Sequence, residues 1–324
     1  MRRYISFGLK RDQALKIAKI SKDQYYYKQT GSKGGPSKSK LTAKLNEKGM
    51  ETTVCNSLVV NEIKLIKENP DRSCGYHTMT YELQLMGFKI NHKKVYRLMK
   101  ENNFLEMINR EKKKNYAKYR VVVPEAPLQV LEMDIKLIWV EEAKKHVQVL
   151  TIIDTFTRVI LHWKIGYKMR KEEVKDAWCH VIEKHLQTVD ALKKSLHIEV
   201  RNDNGPQFSA KTIQDFFEEN HLHQVFTHPY TPQENGHIES FHGILSKHLN
   251  RNTYWTFQQL ETDLILFYER YNNTRLHGSI GYLPPNVFWK CWEKGLVKRN
   301  KISNKNVKFK LEKPHYMLIR ELRA

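Results

Sequence analysis

The chain has 324 residues, 40% hydrophobic and 11% aromatic, with 56 Lys and Arg against 35 Asp and Glu and a formal net charge of +21. That composition excludes a disordered chain, and so large a positive charge calls for a polyanionic partner, either nucleic acid or an anionic membrane. No apolar run approaches the ~20 residues that span a bilayer, and the N-terminus lacks the apolar core of a signal peptide. Nucleic acid is therefore the expected partner, and no membrane is.

Cys55, Cys74, Cys179 and Cys291 are isolated from one another, which gives neither a zinc half-site nor a disulfide framework and fits reduced thiols in a cytosolic protein. Charge is unevenly spread. Residues 1–120 carry 27 basic against 11 acidic side chains, residues 121–289 carry 18 against 21, and residues 290–324 carry 11 against 3. A near-neutral middle between basic ends suggests a catalytic core flanked by segments that hold a polyanion.

Residues 9–28 read as a helix-turn-helix. Leu9, Ala14, Leu15, Ile17 and Ala18 share roughly one helical face, and Ser21 with Gln24 forms a capping box ahead of a short aromatic helix. Residues 31–40 are Gly-, Ser- and Lys-rich and read as flexible linker. Val59, Ile63 and Ile66 mark a helix that ends at Asn69-Pro70. A second helix stops at Gly87. Asn91 caps a third, with Val95, Leu98 and Met99 inward and Lys93, Lys94, Arg97 and Lys100 as candidate DNA contacts. Residues 109–120 are another basic linker.

The period changes at Val130. LEMDI, residues 146–154 and residues 159–166 read as three strands of a meander, with a structural turn at Asp154–Arg158. Helical and short strand patterns then alternate. LHIEV runs into Asp203, HQVFTH follows, and Asn235 opens a helix carrying Glu239. This is a mixed α/β sheet with helices on its faces. Asp134 and Asp203 fall at expected strand ends, with Asn204-Gly205-Pro206 fixing the direction of Asp203. Glu239 lies one turn into its helix. Three carboxylates could hold Mg²⁺, a hard cation that takes oxygen ligands, and two such ions can drive attack on a phosphodiester. The neighbouring histidines, His221, His223, His228, His237, His242 and His248, lack the closed ligand set of a zinc site and read as scattered.

LEMDI, VLTIIDTFTRVILHW, RNDNGPQF and THPYTPQENGHIESFHGILSK together resemble the integrase-like DDE transposases, with 35 residues between Asp203 and Glu239. The nearest resemblance is to the OrfB-type transposase of the insertion-sequence-3 family. RYNNTRLHGSIGYLPPNVF resembles that family's closing motif, and residues 74–104 its upstream helix-turn-helix.

The resemblance implies a ribonuclease-H-like core, preceded by small all-α helix-turn-helix modules. It implies Asp134, Asp203 and Glu239 as catalytic metal ligands, with two Mg²⁺ ions (Mn²⁺ as a substitute) per active site. The implied activity is cleavage of double-stranded DNA at the terminal repeats of a mobile element and strand transfer into target DNA. Homo-oligomers on the paired ends, a separately encoded upstream protein and a bacterial cytoplasmic, nucleoid-associated location are implied as well. The alternatives are a transposase-derived DNA-binding protein without activity, or a nuclease of the same superfold.

The expected domains are an N-terminal helix-turn-helix (1–30), a flexible basic linker (31–56), a second helical DNA-binding module (57–108), a basic linker (109–126), the catalytic core (127–288) and a basic tail (289–324). One position departs from the family. A basic residue usually stands seven places after the catalytic Glu, where this chain has Ser246. Lys247 follows it, rotated roughly 80° from the Glu239 face at 3.6 residues per turn, and is a further candidate DNA contact.

Overall fold

A computed structural model describes residues 2–27, 38–46, 49–69, 72, 74–105, 122–188, 197–228, 232–303 and 306–322. The expected linker residues 31–37 and 109–121 lie outside them. The chain divides into two compact units, residues 1–40 and 41–324.

The first unit contains α1 (Arg2–Ser6), α2 (Arg11–Ala18) and α3 (Lys22–Tyr26). The Ser21 capping box forms as the sequence predicts, with the Ser21 hydroxyl accepting from Gln24 N–H and the Gln24 side chain accepting from Ser21 N–H, both at 3.1 Å. Ala14 and Leu15 are buried.

The second unit begins with β1 (Leu41–Leu45) and β2 (Glu51–Cys55), followed by α4 (Asn56–Glu68), α5 (Tyr76–Leu85), β3 (Phe88–Lys89) and α6 (His92–Glu101). Residues 41–55 are not flexible linker, as the sequence suggested. They form a hairpin, and β3 pairs with β1 to complete a three-stranded sheet, so this module is not all-α. The hairpin turn is held by the Asn46 side chain, which accepts from Met50 N–H at 2.8 Å, and the strand signal is the β-branched run Thr52-Thr53-Val54. Gly87 has φ +90° and sits against this sheet, where an added Cβ would stand 2.5 Å from the Leu45 carbonyl oxygen. Asn91 caps α6 by accepting from Lys94 N–H at 2.9 Å. Val59, Ile63, Ile66, Met79, Leu83, Val95, Leu98 and Met99 form the module's core.

The main sheet has five strands in the order β6-β5-β4-β7-β8. Its members are β4 (Val130–Val140), β5 (Lys145–Asp154), β6 (Ile160–Gly166), β7 (Ile198–Asn202) and β8 (Leu222–Phe226). The meander β4-β5-β6 is antiparallel, while β7 and β8 add parallel to β4. Alternation along β4 separates two cores. Leu131 and Met133 face α7 (Lys171–Val181), α8 (Pro206–Ser209) and α9 (Lys211–Glu219), whereas Ile138 and Val140 face α10 (Gly236–Leu249) and α11 (Phe257–Asn273). The mixed sheet with helices on both faces is the ribonuclease-H-like arrangement expected above.

Asp154 is structural, as its turn suggested. It is fully buried and accepts from Leu128 N–H at 3.1 Å and Thr157 N–H at 2.9 Å, while burial raises its carboxyl above the usual range. The basic tail is folded: α12 (Pro285–Glu293) leads to a hairpin of β9 (Val297–Ser303) and β10 (Asn306–Leu311), then α13 (His315–Leu322). Val297, Leu318, Ile319 and Leu322 pack with Leu276, Ile280, Leu283 and Phe288 of the closing motif. Tyr81 of α5 stacks on Tyr282 with centroids 3.8 Å apart, and its carbonyl lies 3.2 Å from His315 Nε2, so second module, core and tail meet there. Burial pushes the Cys74 thiol up to about 12 and Cys291 up to about 11, as inert thiols require.

Candidate active site

Asp134 does not end its strand, as the sequence suggested, but lies in the middle of β4, because pairing with β5 continues to Val140. What ends near it is the neighbour. The parallel ladder with β7 runs Val130↔Glu199, Leu131↔Val200, Glu132↔Arg201, and β7 stops at Asn202. Two residues past the last pair stand Asp134 on one strand and Asp203 on the other. The two acids thus occupy the same level on adjacent strands, where the sheet opens between them. Asp203 Oδ1 accepts from Gly205 N–H at 3.0 Å, the tight turn anticipated from Asn204-Gly205-Pro206.

Glu132 and Asp134 share the face of β4 covered by α10. Glu132 is fully buried, and its Oε2 accepts from the N–H groups of His237 at 3.0 Å and Ile238 at 2.8 Å. These are first-turn donors that a helix cannot satisfy itself, so Glu132 caps α10 from the sheet. Its Oε1 lies 2.8 Å from His237 Nδ1. Burial pushes the Glu132 carboxyl up to about 7, against the pull of the Ile238 N–H and the Arg158 and Arg201 charges. Arg201 pairs with Glu199 and donates to the Glu234 carbonyl at 3.3 Å, tying the end of β7 to the turn that precedes α10. Ile238, Phe241, Leu245 and Leu249, at spacings of three and four, bury the inner face of α10.

Glu239 is presented on the first turn of this anchored helix. Partial desolvation, then the charges of Asp134 and Glu132, raise its carboxyl above the usual range. Uncompensated negative charge of this kind suits a cation. His242, one turn further on, has Nδ1 3.3 Å from Asp134 Oδ2. Glu132 and His242 were missed as site residues in the sequence. Their signals were the i, i+2 spacing from Asp134 and the i, i+3 spacing from Glu239. Among the described residues no group of three or more His, Cys, Asp or Glu side chains is gathered closely enough to hold a metal. The donor chemistry fits a hard divalent ion; the closed cluster is not formed.

The candidate DNA contacts diverge. Lys93 and Lys100 are exposed on α6, Arg97 is half-buried, and the Lys94 ammonium donates to the Leu41 carbonyl at 2.5 Å, bracing the hairpin. Ser246 turns its hydroxyl back to the His242 carbonyl at 2.7 Å. Lys247 is exposed and lines a cleft against the second module. No helix among the described residues is long and apolar enough to cross a membrane.

A ribonuclease-H-like sheet with acids at the mouth of its parallel pair defines a protein of the integrase-core class. Integrase core domain models match residues 124–232 and 220–285, and an HTH-like domain model matches residues 56–113. The chain is 25% identical over 219 residues to an uncharacterized protein of insertion element IS476 from Xanthomonas euvesicatoria, covering 67% of this chain and 60% of that protein. It is 23% identical over 246 residues to the transposase for insertion sequence element IS904 from Lactococcus lactis, covering 72% of this chain and 94% of that one. The catalytic core domain of BIV integrase aligns over 52% of this chain and 97% of its own, with 19% identity and a TM-score of 0.38. The chain carries an integrase core domain and an HTH-like domain and is similar to transposases of insertion elements.

Proposed function

We propose that this chain cleaves DNA at the ends of an insertion element and joins those ends to target DNA, with Asp134, Asp203 and Glu239 as the catalytic ligands of two Mg²⁺ or Mn²⁺ ions. The observation that carries the proposal is the level shared by Asp134 and Asp203 across the open end of the β4–β7 ladder, with Glu239 opposite on α10. Divalent ions bound there would activate the attacking oxygen and stabilise the leaving one. The chain's own residues have separate duties. Asp134 and Asp203 present oxygens from rigid strands, Glu132 fixes the first turn of α10 and so the position of Glu239, and His242 orients Asp134. Lys93 and Lys100 meet the DNA backbone from α6. The working form is a homo-oligomer on paired element ends, and a separately encoded upstream protein adds end recognition. Resemblance to the insertion-sequence-3 family supports these last two points.

The test uses the full chain with Mg²⁺ or Mn²⁺ and a labelled duplex carrying an element end. Nicked and then joined products are expected, and Asp203→Asn is expected to abolish joining while DNA binding is kept. Failure of the unmutated chain to join in either metal, with the upstream protein supplied, would contradict the proposal. Cleavage without joining would indicate a nuclease.

A further inference from the structure

A cleft of about 1210 Å³ opens beside α10, between the second module and the core. It starts at Ser240, one residue from Glu239, and follows a stripe of Gly243, Ile244 and Lys247 to Arg251 just past the helix end. Gly243 lies one turn beyond Glu239 on the same side of the helix, at i, i+4, while Ser240, Ile244 and Lys247 line the neighbouring side. The far walls come from Asn69, Arg72, α5 and the end of α11. Five cations line the cleft, Arg72, Lys247, Arg251, Arg270 and Arg275, against the single carboxylate of Glu82, which Arg72 engages at 2.6 Å. So lopsided a charge in the lining matches a polyanion.

Gly243 supplies a second, independent observation. It lies inside α10, where glycine is among the poorest helix formers, yet a Cβ added there would meet nothing within 4 Å. Packing within this chain therefore gives no reason for a glycine. Bare helix backbone on the wall of a cationic cleft lets another chain approach closely.

Resting on the transposase reading, we infer that this cleft holds one sugar–phosphate strand of DNA and delivers it to the acids at the other edge of α10. Phosphates would run along Lys247, Arg251, Arg270 and Arg275, and the strand would pass over Gly243 to reach Glu239. In this arrangement the basic residue absent at position 246 is not missing. Its work is done one position on, from the cleft side of the same helix.

The experiment measures binding of the full chain to a labelled duplex, and to one of its strands alone, by fluorescence anisotropy across a salt series. Two variants are compared with the unmutated chain: Lys247→Glu with Arg251→Glu, both exposed, and Gly243→Leu, which fills the cleft without changing charge. The charge variant is expected to lose about tenfold or more in affinity and to flatten the slope of log K against log salt by about 0.9 per lost phosphate contact on duplex. Gly243→Leu is expected to weaken binding about fivefold or more at an undiminished melting temperature, through lost phosphate contacts. Losses confined to duplex would assign the cleft to a strand of double-stranded DNA, and losses confined to the single strand would assign it to an unpaired end; either supports the inference. Unmutated affinity and slope in both folded variants, on both DNAs, would overturn it. If the unmutated chain binds neither DNA, the transposase reading itself falls, and the cleft assignment with it.

Discussion

Glu132 and Asp134 stand two residues apart on one face of one strand, and they do opposite work. Glu132 is sealed under α10, with one oxygen accepting from two backbone N–H groups and the other beside His237. Asp134 lies where β7 has ended, half-exposed, with its outer oxygen near His242 and Glu239 within electrostatic reach. The same residue class on the same surface is structural where the sheet is closed and available for chemistry where it opens. What separates them is the length of the neighbouring strand. A buried, fully bonded acid anchors the helix whose first turn carries Glu239.

The largest expected effect falls on the open side. Asp134→Asn, Asp203→Asn and Glu239→Gln should each reduce strand joining by about a thousandfold or more while leaving melting temperature and DNA affinity nearly unchanged. Gel assays of joined product and anisotropy on the same samples separate the two. If Glu239→Gln lost binding and stability in parallel with joining, Glu239 would belong with Glu132 as an anchor, and the contrast would break.

The closed side should respond in stability. Glu132→Ala leaves the His237 and Ile238 donors buried without an acceptor, which should cost about 3 kcal/mol, whereas Glu132→Gln keeps an acceptor oxygen and should cost about 1 kcal/mol. Urea denaturation of the two variants measures the gap, and equal costs would mean that the cap is not what holds α10.

Acid titration sharpens the contrast further. The folded carboxyl of Glu132, at about 7, lies above its unfolded value of 4.5, so its contribution is full below 4.5 and is lost as pH rises through 7. His277 of the closing motif runs the other way. Burial, then the Arg275 and Arg158 charges, lowers it from 6.5 to about 3, so its contribution is present above 6.5 and is lost as pH falls. Between pH 7 and 5 the two should oppose each other, each by up to about 2 kcal/mol at 1.36 kcal/mol per pKa unit. Glu132→Gln should therefore leave stability that falls toward acid, and His277→Leu stability that rises. Melting curves at several pH values decide, and parallel profiles in both variants would refute the assignment.

The smallest effect is expected on α6. Lys100→Ala should weaken salt-sensitive DNA binding by about twofold to fivefold, while Lys94→Ala, whose ammonium is occupied by the Leu41 carbonyl, should change binding little and loosen the hairpin instead.

Much of this was legible in the chain. The long apolar run of residues 146–154, the turn after it and the returning strand at 159–166 gave the meander, the Ser21–Gln24 and Asn91 caps gave helix starts, and the motifs around Asp203 and Glu239 with their spacing gave the family resemblance. The hairpin at 41–55 was hidden because lysines and a short turn resemble linker when read by composition. Residues 307–311, Val-Lys-Phe-Lys-Leu, alternate strictly, and attention to period rather than charge would have found β10. Glu132 was less accessible. Nothing local distinguishes it from Asp134, and only the tertiary pairing of β4 with β7 and α10 decides which acid is covered. The role inferred for Lys247 likewise depends on what packs opposite its helix face, a long-range fact with no local signature.

The central claim is that Asp134, Asp203 and Glu239 form one divalent-metal site. Titration of Mn²⁺ into the full chain, followed by the loss of its free-ion electron paramagnetic resonance signal, tests it without reference to activity. Saturable binding is expected that weakens about tenfold or more in Asp203→Asn and Glu239→Gln alike, and is unchanged in Asp215→Asn on the surface of α9. Binding in Asp203→Asn equal to that of the unmutated chain would contradict it.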